Sequence, residues 1–190
     1  MKVIALTGGI GSGKSVVSAV LRVMGYDVYD CDSRAKLLMA QSTKIKDALI
    51  DAFGAGAVVE GQIDRAYISR AVFGRPEALK CLNAIVHPAV RNDLEQWLAQ
   101  CSMEYAFVET AILQSSNFKD LISAEWHVTA PVELRVARVA KRNGLSREDV
   151  MRRISSQSAE LPGSEARIID NSGNKAILPQ VQELLSRLAK

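Results

Sequence analysis

A chain of 190 residues can bury one core of ordinary size and leaves no room for a second full domain. Its net charge of +3, with 24% charged and 5% aromatic residues and no alternation of basic with aromatic side chains, gives no reason to expect nucleic acid as a partner. Three cysteines, Cys31, Cys81 and Cys101, show no C-x-x-C spacing, and no apolar run is long enough for a signal segment or a membrane span, so reduced thiols, no membrane and a cytoplasmic location are expected.

Short β-branched or aromatic runs at 2–7, 26–32, 105–110, 125–130 and 166–170 alternate with longer stretches of helical period. That alternation predicts the α/β class, with a central and mostly parallel sheet. The first strand, KVIALT, runs directly into TGGIGSGKS at 7–15, which satisfies G-x-x-x-x-G-K-[ST] at Gly8, Gly13, Lys14 and Ser15. Gly8, Gly9, Gly11 and Gly13 free the backbone to turn successive N–H groups onto an anion, and the following helix adds its N-terminal dipole. Gly9, Gly11, Ser12, Gly13, Lys14, Ser15 and Val16 are therefore the expected nucleotide-binding residues. Within them Lys14 meets the β- and γ-phosphates, the Ser15 hydroxyl meets Mg²⁺ and the Val16 amide reaches the α-phosphate. A chance glycine-rich turn is the competing reading, and the register of strand, loop and helix argues against it. The helix is expected to bury Val16, Val17, Val20, Val23 and Met24 and to stop at Gly25.

The second strand ends in VYDCD, where a period of two would set Asp30 and Asp32 on one face and Cys31 on the other. Ligands of parallel α/β sheets gather outside the carboxyl ends of the strands, where a carboxylate can take the proton of an attacking hydroxyl. Asp32 or Ser33 can equally cap a helix beginning near Arg34, and the two roles are compatible. From 33 to 102 the pattern is helical throughout, broken at 53–62, at Arg75-Pro76 and at His87-Pro88, where Pro88 would start a new helix. This stretch reads as a helical insertion.

After the strands at 105–110 and 125–130, Pro131 is expected at the first position of a helix. Its Arg135, Arg138 and Arg142 form one stripe beside the apolar Val132, Val136 and Val139, and Gly144 ends it. A second short helix, capped by Ser146, carries Arg152 and Arg153 toward Gln157. Arginines on a helix are often only solvated surface. A helical hairpin presenting several of them just after a strand end also suits a phosphoryl-transfer lid. Trp97 and Trp126 are expected in the core, and Leu178, Val181, Leu184, Leu185 and Leu188 form a helix packing stripe.

Other phosphate-loop classes fit poorly. The guanine-reading N-K-x-D is missing, since Asn174-Lys175 is followed by Ala176-Ile177, and the D-x-x-G at Asp51 to Gly54 ends a helical stretch. A nucleotide-dependent switch would need neither an acceptor base nor lid arginines.

The ordered set LTGGIGSGKS, VYDCD, the His-Pro at 87–88, VETAIL at 108–113, the lid run at 138–146 and IIDNSG at 168–173 resembles the dephospho-coenzyme A kinase family over nearly the whole chain. The resemblance implies a three-layer P-loop kinase fold like that of nucleoside monophosphate kinases. It would comprise a core (about 1–32, 103–130 and 162–190), an acceptor-binding helical insertion (about 33–102) and a helical lid (about 131–161). It implies transfer of the ATP γ-phosphate, with Mg²⁺, to the ribose 3′-hydroxyl of dephospho-coenzyme A, the last step of coenzyme A synthesis. Carried over by position, the catalytic aspartate falls on Asp32 with Asp30 beside it, and the lid arginines fall on Arg138 and Arg142. Asn171 matches a segment near the adenine, and His87 matches the family's His-Pro, which also reads as a pre-proline position. Asp32, Lys14, Arg138 and Arg142 make up the expected catalytic group, with Asp30, His87 and Glu109 toward the acceptor and Asn171 toward the nucleotide. The chain departs from the family at Glu109, where Asp is usual, at Ser115, where an acid is usual, at Lys36 in place of Arg or His, and at Asn143 in place of Asp. A nucleoside monophosphate or another small alcohol remains open as the acceptor on the residues alone.

Overall fold

The computed structural model describes residues 1–157 and 160–188; residues 158 and 159 of the expected lid, and 189 and 190 of the expected core, lie outside the described residues. The chain divides into two compact units, Met1–Asp30 with Cys101–Lys190, and Cys31–Gln100.

The first unit is built on a sheet of five parallel strands: β1 (Lys2–Thr7), β2 (Val28–Asp30), β5 (Tyr105–Glu109), β6 (Ala124–Thr129) and β7 (Arg167–Asp170). Their order is β2-β5-β1-β6-β7, so the strand that leads into the glycine-rich loop stands at the centre. Ile4, Ala5 and Leu6 are fully buried, as expected for a parallel strand covered on both faces. One face of the sheet packs against α1 (Lys14–Val23) and α8 (Ile177–Leu188) through Ile4, Leu6, Phe107, Trp126, Val128 and Ile169. Phe107 ties this core together, with its ring 5.2 Å from that of Trp126 and 5.5 Å, edge-on, from that of Tyr26.

The buried side of α1 agrees with expectation at Val17, Val20 and Met24, which pack on the core, and differs at Val16 and Val23. The helix buries Val17, Ser18 and Leu21, while Val16 is 49% and Val23 89% exposed. Ser18 is buried beside this apolar stripe, and its hydroxyl donates a 2.6 Å hydrogen bond to Glu109 Oε2 at the end of β5. On α8 likewise Leu178 is exposed, and Ile177 packs in its place.

Two further helices, α6 (Val132–Asn143) and α7 (Arg147–Ser156), follow β6 and form a hairpin with a small core of Val136, Val139 and Val150. Pro131 is the residue just before α6, one position earlier than expected, and its carbonyl accepts from the Arg135 amide. Gly144 closes α6 in the left-handed conformation, with φ 65°. Ser146 caps α7 by accepting from the Asp149 amide at 3.1 Å.

The second unit holds α2 (Cys31–Gln41), α3 (Thr43–Phe53), α4 (Arg65–Val72) and α5 (Pro76–Gln100) around a core of Ile45, Leu49, Ala57 and Ile68. Arg34 and Asp93 join α2 to α5 through a two-pronged ion pair, with Nε to Oδ2 at 2.7 Å. Three sequence expectations change here. Strand β2 stops at Asp30, and helix begins at Cys31, so Asp32 sits in the first turn of α2, where its charge suits the helix dipole, and the strand period no longer relates it to Asp30. The insertion is not purely helical: β3 (Val58–Val59) and β4 (Gln62–Ile63) form a hairpin. Its turn residues Glu60 and Gly61 take φ 50° and 73°, the pair of positive values that a tight two-residue hairpin needs. Finally, Pro88 lies inside α5 and starts no helix, because Val86, Val90, Leu94 and Leu98 continue the buried stripe across it. Trp126 is in the core as expected, whereas Trp97 on α5 is only half-buried.

Pro88 is exposed and brings no N–H to the helix ladder. Pro88→Ala is expected to stabilise the protein by about 1–3 kcal/mol, read as an increased midpoint in denaturant with unchanged slope.

Candidate active site

Turning amide N–H groups inward onto an anion turns the matching carbonyls outward, and those carbonyls need donors of their own. In residues 8–12 each one has a donor. Gly8 O accepts from Lys14 Nζ at 2.8 Å and Gly9 O from the Ser12 amide at 3.1 Å. Ile10 O accepts from Arg135 Nε at 2.9 Å, and Gly11 O from Arg138 at 3.4 Å. Ser12 O accepts from Asn171 Nδ2 at 2.8 Å, with Arg138 at 3.5 Å. The other end of the Arg138 guanidinium donates to Asn171 O at 3.0 Å, and the Asn171 amide donates to Thr129 O at 2.8 Å. The loop is thus backed by the end of β6, the turn after β7 and helix α6.

The glycines are where that backing presses closest. A Cβ on Gly9 would run into the Arg135 guanidinium. Gly13, the cap of α1, has φ 99° and lies against the Asn171 side-chain amide, so both its backbone angle and its surroundings exclude a side chain. Ser15 and Val16, in the first turn of α1, are exposed. The Ser12 side chain is buried, and its hydroxyl is without a partner among the described residues.

Beside the loop are acids. Asp30 and Glu109 are register partners at the carboxyl ends of β2 and β5. Burial pushes the Glu109 carboxyl above its ordinary range, and Asp30 adds to that push, while the Ser18 hydroxyl and the charges of Lys14 and Arg22 oppose it. Beneath the loop, Thr7 donates to Glu125 Oε1 at 2.6 Å and lies 2.9 Å from His127 Nδ1. With the threonine proton directed to Glu125, the imidazole Nδ1–H is the donor to Thr7. Burial pulls the His127 pKa down, which favours the neutral ring. Glu125 Oε2 also accepts from the Gly163 amide at 3.0 Å, tying the segment after α7 to the base of the loop.

The expected site residues separate into groups. Gly9, Gly11, Ser12, Gly13 and Lys14 form the loop and its lysine, Asn171 and Arg138 hold its carbonyls, and Asp30 and Glu109 stand at neighbouring strand ends. Arg142 is exposed near the end of α6, and its Nε donates to Asn143 Oδ1 at 2.9 Å, away from the loop carbonyls that Arg138 serves. Asp32, exposed, and His87, half-buried with its pKa lowered by burial, belong to the second unit. Sequence reading missed the part of Arg135 in holding the loop, the Gln157 side chain that meets Ile10, and the Thr7–Glu125–His127 cluster. The last was detectable, since Glu125 and His127 alternate with the buried Trp126 and Val128 along β6. Ser115 donates to Glu160, so a carboxylate does reach this loop, from elsewhere in the chain.

Ser15 in the first turn of α1 and Glu109 at the end of β5 offer oxygen donors of the kind that would suit magnesium, a hard cation shared with phosphates. Among the described residues no cluster of three or more His, Cys, Asp or Glu could hold a metal unaided.

A phosphate loop after the central strand of a five-stranded parallel sheet, with an arginine-bearing helical hairpin against it, defines a P-loop kinase. The fold is shared with a shikimate kinase of Bacteroides thetaiotaomicron, at 14% identity and a TM-score of 0.59 over 100% of this chain and 99% of that one. The dephospho-CoA kinase family profile matches residues 2–176. A dephospho-CoA kinase of Porphyromonas gingivalis is 37% identical over 188 residues, covering 97% of this chain and 93% of its own length. One of Thermus thermophilus is 38% identical over 177 residues, covering 90% and 84%. A crystal structure of a Thermus thermophilus protein superposes with a TM-score of 0.82 at 34% identity, over 99% of this chain and 96% of that one. The chain belongs to the dephospho-CoA kinase family. It is an ATP-dependent phosphotransferase that converts dephospho-CoA to CoA in the final step of CoA biosynthesis.

Because the folded protein holds the Glu109 proton more tightly than the unfolded chain does, this group's contribution to stability is complete below about pH 4.5 and is lost as pH rises through the raised value. Glu109→Gln keeps an oxygen for Ser18 and removes that loss. The melting temperature of the variant relative to the parent is therefore expected to increase between about pH 4 and about pH 7 in a thermal-melt series.

Proposed function

We propose that the acceptor atom is the ribose 3′-hydroxyl of dephospho-CoA and that Asp32 takes its proton. The hydroxyl oxygen bonds to the γ-phosphorus in line with the breaking bond to the β–γ bridging oxygen, ADP leaves, and the proton passes to the Asp32 carboxylate. Asp32 is exposed in the first turn of α2, two residues after the end of β2, which supports its access to a substrate hydroxyl.

In this reading the loop amides and Lys14 bind the β- and γ-phosphates, Val16 N–H serves the α-phosphate, and Asn171 borders the adenine. His87 and Asp30 serve the acceptor. Ser15 and Glu109 hold Mg²⁺, directly or through water, and the bound ion would neutralise charge on the β- and γ-phosphate oxygens. Arg138 steadies the loop, and Arg142 turns from Asn143 onto the transferring group. The observation that carries this reading is the complete donor set on the loop carbonyls from Gly8 to Ser12, the counterpart of a loop whose remaining amides serve an anion. No disulfide joins Cys31, Cys81 and Cys101, which suits a cytoplasmic enzyme with ATP and dephospho-CoA as its partners and neither nucleic acid nor membrane among them. Among the described residues no helix is long and apolar enough to cross a membrane.

Lys14→Ala, Asp32→Ala and Arg142→Ala are each expected to lower kcat by about two orders of magnitude or more in a coupled ADP-release assay with dephospho-CoA, with melting temperature unchanged for Asp32→Ala and Arg142→Ala and lowered for Lys14→Ala, which takes the donor from the Gly8 carbonyl. Near-normal turnover by Asp32→Ala would remove the carboxylate from its role as base. NMR of the product is expected to show phosphorus coupled to the ribose 3′ position, and coupling at any other hydroxyl overturns the acceptor assignment.

A further inference from the structure

Ile10, the third residue of the phosphate loop, belongs as much to the lid as to the loop. Its N–H donates to Gln157 Oε1 at 2.7 Å, just past the end of α7. Its carbonyl accepts from Arg135 Nε on α6 at 2.9 Å. Its side chain packs on Val136, Val139 and Val150, the core shared by those two helices. Gly9 and Gly11 on either side are pressed against α6 as well: a Cβ on Gly11 would meet Arg135 O at 2.7 Å and Val139 Cγ2 at 2.9 Å.

We propose that Gln157 and Arg135 are positioning residues for the kinase reaction, clamping the two sides of the Ile10 peptide so that the α6–α7 hairpin and the phosphate loop move as one element. The inference rests on the reading of residues 8–15 as the ATP loop. Helix α6 supplies one side chain and the residue that caps α7 the other, and each binds a different backbone atom of Ile10. Rotation of the hairpin therefore has to rotate the Ile10 peptide or break both bonds and empty the small core. Through that linkage the position of the lid sets the direction of the loop amides, and by reciprocity ATP in the loop orders the lid. Neither side chain needs to touch the nucleotide. A carbonyl oxygen on Gln157 serves the purpose because it accepts from an amide without adding negative charge beside a phosphate site.

The test compares the full-length protein with Gln157→Met, which keeps the length of the side chain and removes the acceptor, and with Gln157→Ala as a second version. ATP affinity is measured by titration calorimetry, the dephospho-CoA KM by steady-state kinetics, and exchange of the Val150 amide, which donates to Ser146 O at 3.1 Å within α7, by NMR with and without ATP. The variants are expected to bind ATP about tenfold more weakly, with the dephospho-CoA KM within about twofold of the parent. Their melting temperature stays unchanged, and the slowing of Val150 exchange by ATP disappears. Parent-like ATP affinity in both variants, or undiminished protection of Val150 by ATP, overturns the clamp. Lys14→Ala serves as the control on the loop itself: ATP binding by it at parental affinity means that residues 8–15 are not the ATP site, a failure distinct from that of the clamp.

Discussion

The structure depends on an accounting of peptide carbonyls. A loop that offers several N–H groups to one anion must turn its C=O groups the other way, and a buried carbonyl without a donor costs about 1–3 kcal/mol. Five consecutive carbonyls from Gly8 to Ser12 find donors in Lys14, the Ser12 amide, Arg135, Arg138 and Asn171. These donors come from α1, the loop itself, α6 and the turn after β7. The loop motif alone is therefore an incomplete description of the phosphate site, because its shape is held by residues more than a hundred positions away in the chain.

This accounting changes how the basic residues divide their work. Arg135 and Arg138 sit on the side of α6 that faces the loop, and both use guanidinium N–H groups on backbone oxygens. Burial lowers the Arg135 pKa, as expected for a charge partly removed from water. Arg142, one turn after Arg138, has its Nε on the neutral amide oxygen of Asn143, in place of the aspartate that the family resemblance led one to expect. A neutral partner holds a guanidinium less firmly than a carboxylate would. In the proposed reaction this leaves Arg142 the easier of the two to redirect toward phosphoryl oxygens.

Much of the fold was legible because the deciding signals were local. The buried run of β1, the glycine pattern, Gly144 and the Ser146 cap each act within a few residues, and each element formed where they pointed. Where the expectation failed, a distant partner had intervened. Ser18 of α1 is buried where it reaches Glu109 at 2.6 Å across 91 positions of sequence, and α5 runs through Pro88 because its apolar stripe on both sides of the proline finds a core. The hairpin at Val58–Ile63 escaped notice because each strand has only two residues and Glu60 is an uncommon choice for a positive φ. The loop and the strand-end carboxylates were readable on the same local grounds. Gln157 was not, since nothing in the residues around it specifies a bond to an amide 147 positions away.

The acidic side of the site follows from the same mixture of local and distant constraints. Placing Glu109 where the family usually has aspartate extends the carboxylate by one methylene, and the longer arm reaches the Ser18 hydroxyl on α1 while its backbone stays in register with Asp30. The serine bond favours the charged form and burial opposes it, with burial the larger effect. A carboxyl so balanced responds to whatever cation arrives: an added positive charge at the strand ends would favour ionisation of Glu109, and ionised Glu109 would in turn hold that charge.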